Sequence, residues 1–252
     1  MTNIQEDNIH LAYKNTGETP KECLERYKSE NPNLESVPMT YAGRLDPMAE
    51  GVLILLSGEA IEKKEDFLDL PKTYVFEILW GVKTDTGDVL GLIDKEEEKI
   101  PKEEDVRGVL EKSLGDFIQK YPAYSSKPVN GKPLFLWARE GKLEEIEIPE
   151  HEVSLYRARF LERKEIDSIL LLKEIKEKIG KVKGDFRQEE IISKWSDLFE
   201  DKKSRFTIDK IEVEVSSGFY IRQFTEDLAE KLSTVALTSH ILRTKVGNYE
   251  AL

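Results

Sequence analysis

One segment constrains this chain of 252 residues more than any other, because it places a carboxylate directly before an apolar run. Asp46 lies between Gly43 and Gly51, and residues 52–56 are continuously apolar, which predicts a buried strand. A charge at the entrance of a buried strand is costly unless it is paired or used chemically, so we expect a nearby or a distant arginine as its partner. The two glycines would allow a sharp turn or the close approach of a ligand.

Taken alone, the pair Asp46-Pro47 indicates a turn or a helix cap more often than a catalytic group. The whole stretch from Gly43 to Gly51, however, resembles the nucleophile motif of the TruB family of RNA pseudouridine synthases, Gly-x-Leu-Asp-Pro-x-Ala-x-Gly. The resemblance implies that Asp46 is the nucleophile or base of the reaction. It also predicts that the remaining family motifs occur elsewhere in the chain.

Further segments resemble the family in the same order along the chain. They are the turn at 14–19, the strand entry Lys72-Thr73-Tyr74 with the polar loop 81–88, the lysine-rich and aromatic segment 121–142, the stretch 216–224, and the ending 242–247. Lysines with exposed aromatic rings suit RNA, because cations neutralise phosphate and rings stack on bases. The alternative for residues 121–142 is an ordinary solvated loop, but the resemblance to the family favours a role in RNA binding.

The resemblance implies three catalytic residues, Asp46, Tyr74 and Arg222. Arg222 would pair with Asp46 and keep it ionised, and Tyr74 would stack on the extruded uracil and assist the final proton removal. Arg44 competes as the partner of Asp46, but we rank it as a secondary RNA or structural contact. The implied substrate-binding residues are Lys14, Tyr41, Arg44, Lys127, Lys132, Tyr220 and Leu242. Tyr41 stands where many bacterial relatives have a histidine implicated in displacing the base.

Residue patterns predict several elements directly. Alternation predicts strands at 9–13, 73–80 and 208–215, and Thr19, Pro20 and Glu22 predict a capped helix start. Val106, Val109, Leu110 and Leu114 have helical spacing with Gly115 as terminator, and a further helix follows Ser216 to Tyr220. The fold class expected is mixed α/β (α+β), with a large, mainly antiparallel sheet, flanking helices and a central cleft that holds Asp46.

The domain organisation expected is a single catalytic domain over 1–252, without the C-terminal RNA-binding PUA domain of many relatives. Residues 163–205 resemble nothing in the family core. Their repeated charges and helical apolar spacing predict an inserted helical hairpin. It would serve as a peripheral brace or as an RNA-contacting arm, and we favour the brace.

Composition limits the partners and the compartment. The net charge of −12 excludes a surface that is basic throughout, so RNA binding requires a local basic cleft. A single cysteine, Cys23, excludes an intrachain disulfide and a cysteine zinc site, and favours a cytoplasmic location. The apolar runs are too short to cross a membrane. No motif for a nucleotide cofactor or a metal is present, and we expect no cofactor, no metal and a monomer.

The leading hypothesis is an isomerase that converts a uridine of the tRNA T-stem-loop to pseudouridine. A pseudouridine synthase for another RNA, such as rRNA, is the alternative within the same chemistry. A non-catalytic RNA-binding or RNA-folding module is the alternative from another class, and the set of Asp46, Tyr74 and Arg222 disfavours it.

Overall fold

The computed structural model describes residues 8–201 and 205–250. The strands are β1 (Ile9–Lys14), β2 (Met39–Ala42), β3 (Ala49–Ser57), β4 (Lys72–Trp80), β5 (Val82–Thr84), β6 (Ile93–Glu96), β7 (Gly115–Lys120), β8 (Pro128–Val129), β9 (Lys132–Pro133), β10 (Glu150–Asp167), β11 (Arg205–Val215), β12 (Ala236–Val246) and β13 (Tyr249–Glu250). The helices are α1 (Pro20–Glu30), α2 (Lys64–Leu68), α3 (Glu103–Lys112), α4 (Leu134–Arg139), α5 (Ser168–Gly180), α6 (Gln188–Asp201) and α7 (Ile221–Lys231).

A large mixed sheet organises these elements. Its strand order is β1-β3-β12-β4-β11-β10-β7, with β2 added to β3 and β13 added to β12. The pairs are antiparallel except for β3 with β12, which is parallel. The expected fold class, a mixed α/β architecture with a mainly antiparallel sheet, is therefore confirmed.

Strand β4 shows why helices cover both faces of the sheet. Phe76, Ile78 and Trp80 alternate onto one face and pack in a core that includes residues of α3 and α7. Leu79 points to the opposite face, where it packs in a second core with residues of α5 and α6. Because a strand alternates its side chains, the consecutive apolar residues Ile78, Leu79 and Trp80 require cover on both sides of the sheet.

The hairpin of α5 and α6 supplies that cover, and its bounds differ from the expected 163–205. Strand β10 continues to Asp167 and β11 begins at Arg205, so residues 163–167 are strand. Strand pairing with β11 overrides the helical interpretation of these residues, because their backbone completes the ladder as far as Asp167. Leu171, Ile175 and Trp195 of the hairpin are fully buried in the second core, as a brace requires. The interpretation as an insertion into one catalytic domain stays a prediction.

Two local predictions have different outcomes. The capping box at the start of α1 is confirmed, because the Thr19 hydroxyl and the Glu22 carboxylate each bind the other residue's backbone N–H. The segment 81–88 is not wholly a loop, since β5 pairs with β6 before the chain turns. In the described ranges, no helix combines the length and the apolar character needed to cross a membrane.

Candidate active site

Asp46 lies in the turn that joins β2 to β3. The Ala49 N–H donates to the Asp46 carbonyl (3.0 Å), and the Gly17 N–H donates to the Pro47 carbonyl (2.7 Å), so the turn is held from two sides. Gly43 has φ +88°, a conformation that few residues other than glycine adopt readily. These features place the carboxylate just before the start of β3, and 39% of its side-chain surface remains accessible.

Gly51 serves a different purpose from the one expected. Its φ is +115°, and a Cβ built on it would lie 2.2 Å from the backbone oxygen of Arg243 on β12. The close approach is therefore made by the parallel neighbouring strand, and not by a ligand. This glycine lets β3 and β12 meet directly behind the Asp46 turn.

Arg222 is the cation that faces Asp46. It lies in the first turn of α7 with 3% of its side chain accessible, and its Nε donates to Asp46 Oδ2 at 2.7 Å. The fold thus joins two residues that are 176 positions apart. Burial alone would lower the pKa of Arg222, but the charges of Asp46 and Asp88 raise it above its ordinary value.

The remaining donors of Arg222 bind backbone oxygens. Nη1 donates to the Thr86 carbonyl (2.6 Å) and Nη2 to the Tyr124 carbonyl (3.2 Å). A second carboxylate, Asp88, lies with Oδ2 3.7 Å from Arg222 Nε and accepts hydrogen bonds from Thr86 Oγ1 and the Leu90 N–H. Burial raises the pKa of Asp88 to about 6, against the opposing effect of Arg222.

A cavity of about 420 Å³ opens beside this ion pair, within the size range of small-ligand sites. Tyr74 lines it from β4, and it is 8% exposed. Of the residues named from the sequence, Asp46, Tyr74, Arg222, Arg44, Lys127 and Tyr220 all line this cavity. The three groups implied as catalytic therefore share one space.

The cavity is locally basic although the chain is acidic. The cations that line it are Arg44, Lys72, Lys127, Arg222 and Arg243, and the acidic lining residue is Asp46. Burial, followed by the charge of Arg243, lowers the pKa of Lys72 to about 8. A basic cavity of this kind meets the requirement for a local site for an anionic polymer.

Aromatic rings form one wall of the cavity. The Tyr121 ring stacks on His151 with centroids 4.1 Å apart and meets Tyr220 edge-on at 5.5 Å. Lys127 Nζ lies 4.7 Å from the centroid of Tyr121. Burial, and then the charge of Asp46, raises the pKa of Tyr220 to about 12, so its hydroxyl stays protonated. This wall places aromatic rings and a cation side by side, a combination typical of nucleic-acid sites.

Lys14 does not lie where the resemblance implied. Its side chain is fully buried, and Nζ donates to the carbonyls of Ala49 (2.5 Å) and Asn15 (3.1 Å). Burial lowers its pKa to about 8, while the charge of Asp46 acts in the opposite direction. This placement contradicts a direct RNA contact, because the ammonium is used inside the protein to hold the start of β3.

Three other implied substrate contacts lie outside the cavity. Tyr41 packs into the small core of α1 and β3, with Lys64 Nζ 5.7 Å from its ring. Lys132 pairs with Glu140 at 2.5 Å. Leu242 lies between two cavity-lining residues of β12, so strand alternation turns it to the other face, and Ile241 occupies the expected position.

Sequence reasoning missed the residues that surround the ion pair from other loops. A second cavity of about 370 Å³ adjoins the first and shares Asp46, Tyr124, Ser126 and Arg222 with it. The Thr-Asp-Thr loop was the available signal for Asp88, but its burial depends on the fold. Among residues 8–201 and 205–250, no cluster of three or more histidine, cysteine or acidic residues is arranged to hold a metal.

The family model and the similar proteins both indicate the same family. The model of the TruB family pseudouridylate synthase N-terminal domain matches residues 33–180. The tRNA pseudouridine synthase B of Rickettsia felis is 30% identical over 216 residues, covering 86% of this chain and 52% of that protein. The enzyme of the same name from Caldicellulosiruptor saccharolyticus is 28% identical over 242 residues, covering 96% and 68%. The chain thus spans about half to two thirds of the length of these relatives.

Two solved structures contain chains of similar fold. A chain in the crystal structure of a Cbf5-Nop10-Gar1 complex matches with a TM-score of 0.59 and 17% identity, covering 96% of this chain and 50% of that one. A chain in the structure of an H/ACA RNP bound to a substrate RNA containing 2'-deoxyuridine matches with a TM-score of 0.52 and 16% identity, covering 95% and 48%. These likenesses show the fold of the sheet and its helices.

Proposed function

Because this chain belongs to the TruB family of pseudouridylate synthases, we propose that it isomerises uridine to pseudouridine in RNA, with Asp46 as the reacting group. One observation carries the proposal. The Asp46 carboxylate is held at 2.7 Å by the buried guanidinium of Arg222, at the edge of a cavity that Tyr74 also lines. A buried arginine orients the carboxylate while leaving part of it open to a substrate.

The chemistry needs no external reactant. The bond from ribose C1' to uracil N1 breaks, the base rotates, and a bond forms from C1' to C5. The proton at C5 then leaves, and N1 carries a proton in the product. Asp46 acts at the ribose as the nucleophile or the base of this sequence, and Arg222 balances its charge whenever the carboxylate is ionised.

The other cavity residues receive roles from their placement. Tyr74 stacks on the extruded uracil, and its hydroxyl assists removal of the C5 proton. Tyr220 and the Tyr121 ring border the base, and the cations Arg44 and Lys127 contact phosphates of the flanking chain. These roles agree with a base that must leave its stack to reach a recessed carboxylate.

The substrate we propose is the T-stem-loop of tRNA. The names of the relatives from Rickettsia felis and Caldicellulosiruptor saccharolyticus support tRNA as the RNA class. We further propose that the protein acts in the cytoplasm as a monomer, since one chain contributes the carboxylate, the arginine and the tyrosine of the cavity. The 1–252 span would then operate as a single catalytic domain with the α5–α6 hairpin as its inserted brace.

Tritium release tests the activity. Unmodified tRNA whose uridines carry tritium at C5 should release the tritium of the target uridine when the wild-type protein is added. Asp46→Asn should abolish release yet bind the RNA within about three-fold of wild type, because phosphate contacts dominate affinity. Asp66→Asn, at an exposed position on α2, removes the same charge and should leave turnover unchanged.

Different results point to different functions. Release that persists in Asp46→Asn would remove this carboxylate from the reaction. Release from rRNA fragments in place of tRNA would replace the substrate class. Binding and refolding of tRNA without any release would support a non-catalytic RNA-folding module.

A further inference from the structure

The turn between α5 and α6 holds a residue in an unfavourable backbone conformation. Arg187 has φ +63°, a region that residues with a Cβ rarely occupy unless their surroundings hold them there. Its N–H donates to Asp185 Oδ1 at 3.2 Å, and Gln188 binds the carbonyls of Val182 and Gly184. The turn is therefore internally organised, and it places the Arg187 side chain at the wall of the second cavity.

Arg187 contacts two loops outside the hairpin at once. Its Nη1 donates to Asp85 Oδ2 at 2.8 Å, and the Tyr124 hydroxyl donates to the same oxygen at 3.0 Å. The guanidinium also lies 5.3 Å from the centroid of the Tyr124 ring. The loop before Asp88 and the loop that contains Tyr124 are thus joined through one carboxylate oxygen.

These are the two loops that orient Arg222. Apart from its bond to Asp46, Arg222 donates to the carbonyls of Thr86 and Tyr124. Thr86 follows Asp85 directly in the chain, so both carbonyls belong to segments that Arg187 ties together. A change in the separation of the two loops would alter the direction of Arg222 Nε towards Asp46.

We propose that Arg187 is a positioning residue for the Asp46–Arg222 pair, acting through Asp85 and Tyr124. The proposal rests on the proposed function, because its effect on rate presupposes that the pair reacts with RNA. The hairpin then does more than cover the sheet. It also sets the angle at which the buried guanidinium presents its donor to the reacting carboxylate.

Single-turnover kinetics with saturating protein separate positioning from RNA binding. Arg187→Gln removes the charge and shortens the polar side chain, so the bond to Asp85 is lost. The rate constant should fall about 3- to 10-fold, a coupling typical of contacting residues. The dissociation constant for tRNA and its salt dependence should stay within about two-fold, because no phosphate contact is lost. Arg187→Lys keeps a cation for Asp85 and should recover most of the rate.

The same turn offers a matched control. Lys183 pairs with Glu22 on α1 and has 81% of its side chain accessible, so Lys183→Ala removes one positive charge without touching either loop. It should leave the rate unchanged. A rise in the dissociation constant of Arg187→Gln at an unchanged rate would make Arg187 an RNA contact and overturn the proposal. An equal loss in Arg187→Lys and Arg187→Gln would also overturn it.

A readout that does not depend on turnover keeps the two proposals apart. In protein labelled with nitrogen-15 arginine, the Nε–H signal of Arg222 should shift in Arg187→Gln and stay in place in Lys183→Ala. If the Arg222 signal does not move in Arg187→Gln, the positioning role is refuted, whatever the activity. If the signal shifts but the wild-type protein is inactive on RNA, only the proposed function is refuted. Should Arg187→Gln fail to fold, Asp85→Asn removes the same ion pair and must give the same shift and rate loss.

Discussion

Asp88 should make the stability of the protein depend on pH in a way that one substitution removes. Its carboxylate is buried beside Arg222, and burial raises its pKa from 3.8 to about 6. The folded protein therefore holds this proton more tightly than the unfolded chain does. The contribution of Asp88 to stability is largest below about pH 4, declines as the pH rises to about 6, and stays low above that value.

The size of the effect follows from the pKa difference. A rise from 3.8 to about 6 corresponds to about 3 kcal/mol of unfolding free energy. Asp88→Asn has no proton to lose, so its free energy of unfolding should gain up to about 3 kcal/mol on wild type between about pH 4 and pH 7. Asp88→Asn also loses the attraction to Arg222, which changes the offset between the free energies of unfolding of the two proteins. The quantity to compare is therefore how the difference between the two free energies changes with pH.

Urea denaturation followed by tryptophan fluorescence across this range measures the difference directly. Asp94→Asn, at an exposed position on β6, removes a carboxylate outside the site, and its curve should run parallel to wild type. Parallel pH profiles for Asp88→Asn and wild type would refute the reasoning. They would mean that Asp88 is as easily ionised in the folded protein as in the unfolded chain.

Three further predictions concern the cavity and its scaffold. Tyr74→Phe keeps the stacking ring, so tRNA affinity in filter binding should hold while the tritium-release rate falls about 100-fold or more. Lys127→Ala should reduce the slope of log affinity against log salt by about one, whereas Lys132→Ala, already paired with Glu140, should change it less. Gly51→Ala places a Cβ on the β12 backbone and should lower the unfolding free energy by about 3 kcal/mol in urea titrations.

Each of these has an outcome that would count against it. Loss of affinity in Tyr74→Phe would give the hydroxyl a binding role. Equal slopes for both lysine variants would remove the distinction between a cavity cation and a paired one. For the glycine, Gly108→Ala in α3, where the added methyl meets nothing within 4 Å, should raise stability slightly; an equally mild Gly51→Ala would show that β12 can retreat.

Short-range patterns in the chain account for several elements of the fold. Alternation around Phe76 predicts β4, the Thr19 capping box predicts the start of α1, and Gly43 with Asp46-Pro47 predicts the turn. These patterns depend on neighbours within a few positions, which any local conformation brings together. Local patterns did not predict that residues 163–167 form a strand, because their pairing partners in β11 lie some forty positions away in the chain.

The sequence by itself determined the kinds of groups available, and family resemblance singled out Asp46, Tyr74 and Arg222 among them. Tertiary structure decided which of the other candidates face the cavity. Ile241, and not Leu242, lines the cavity. The direction of a side chain on β12 follows from the strand register, which the motif alone does not specify.

Burial and long-range pairing decided the rest. Lys14 became a buried cation, Asp88 a second carboxylate beside Arg222, and Arg187 a link between two loops. The energy of each of these charges depends on desolvation and on partners far away in the chain. A linear sequence contains the charged groups, but only the packed sheet and its helices set the distances between them.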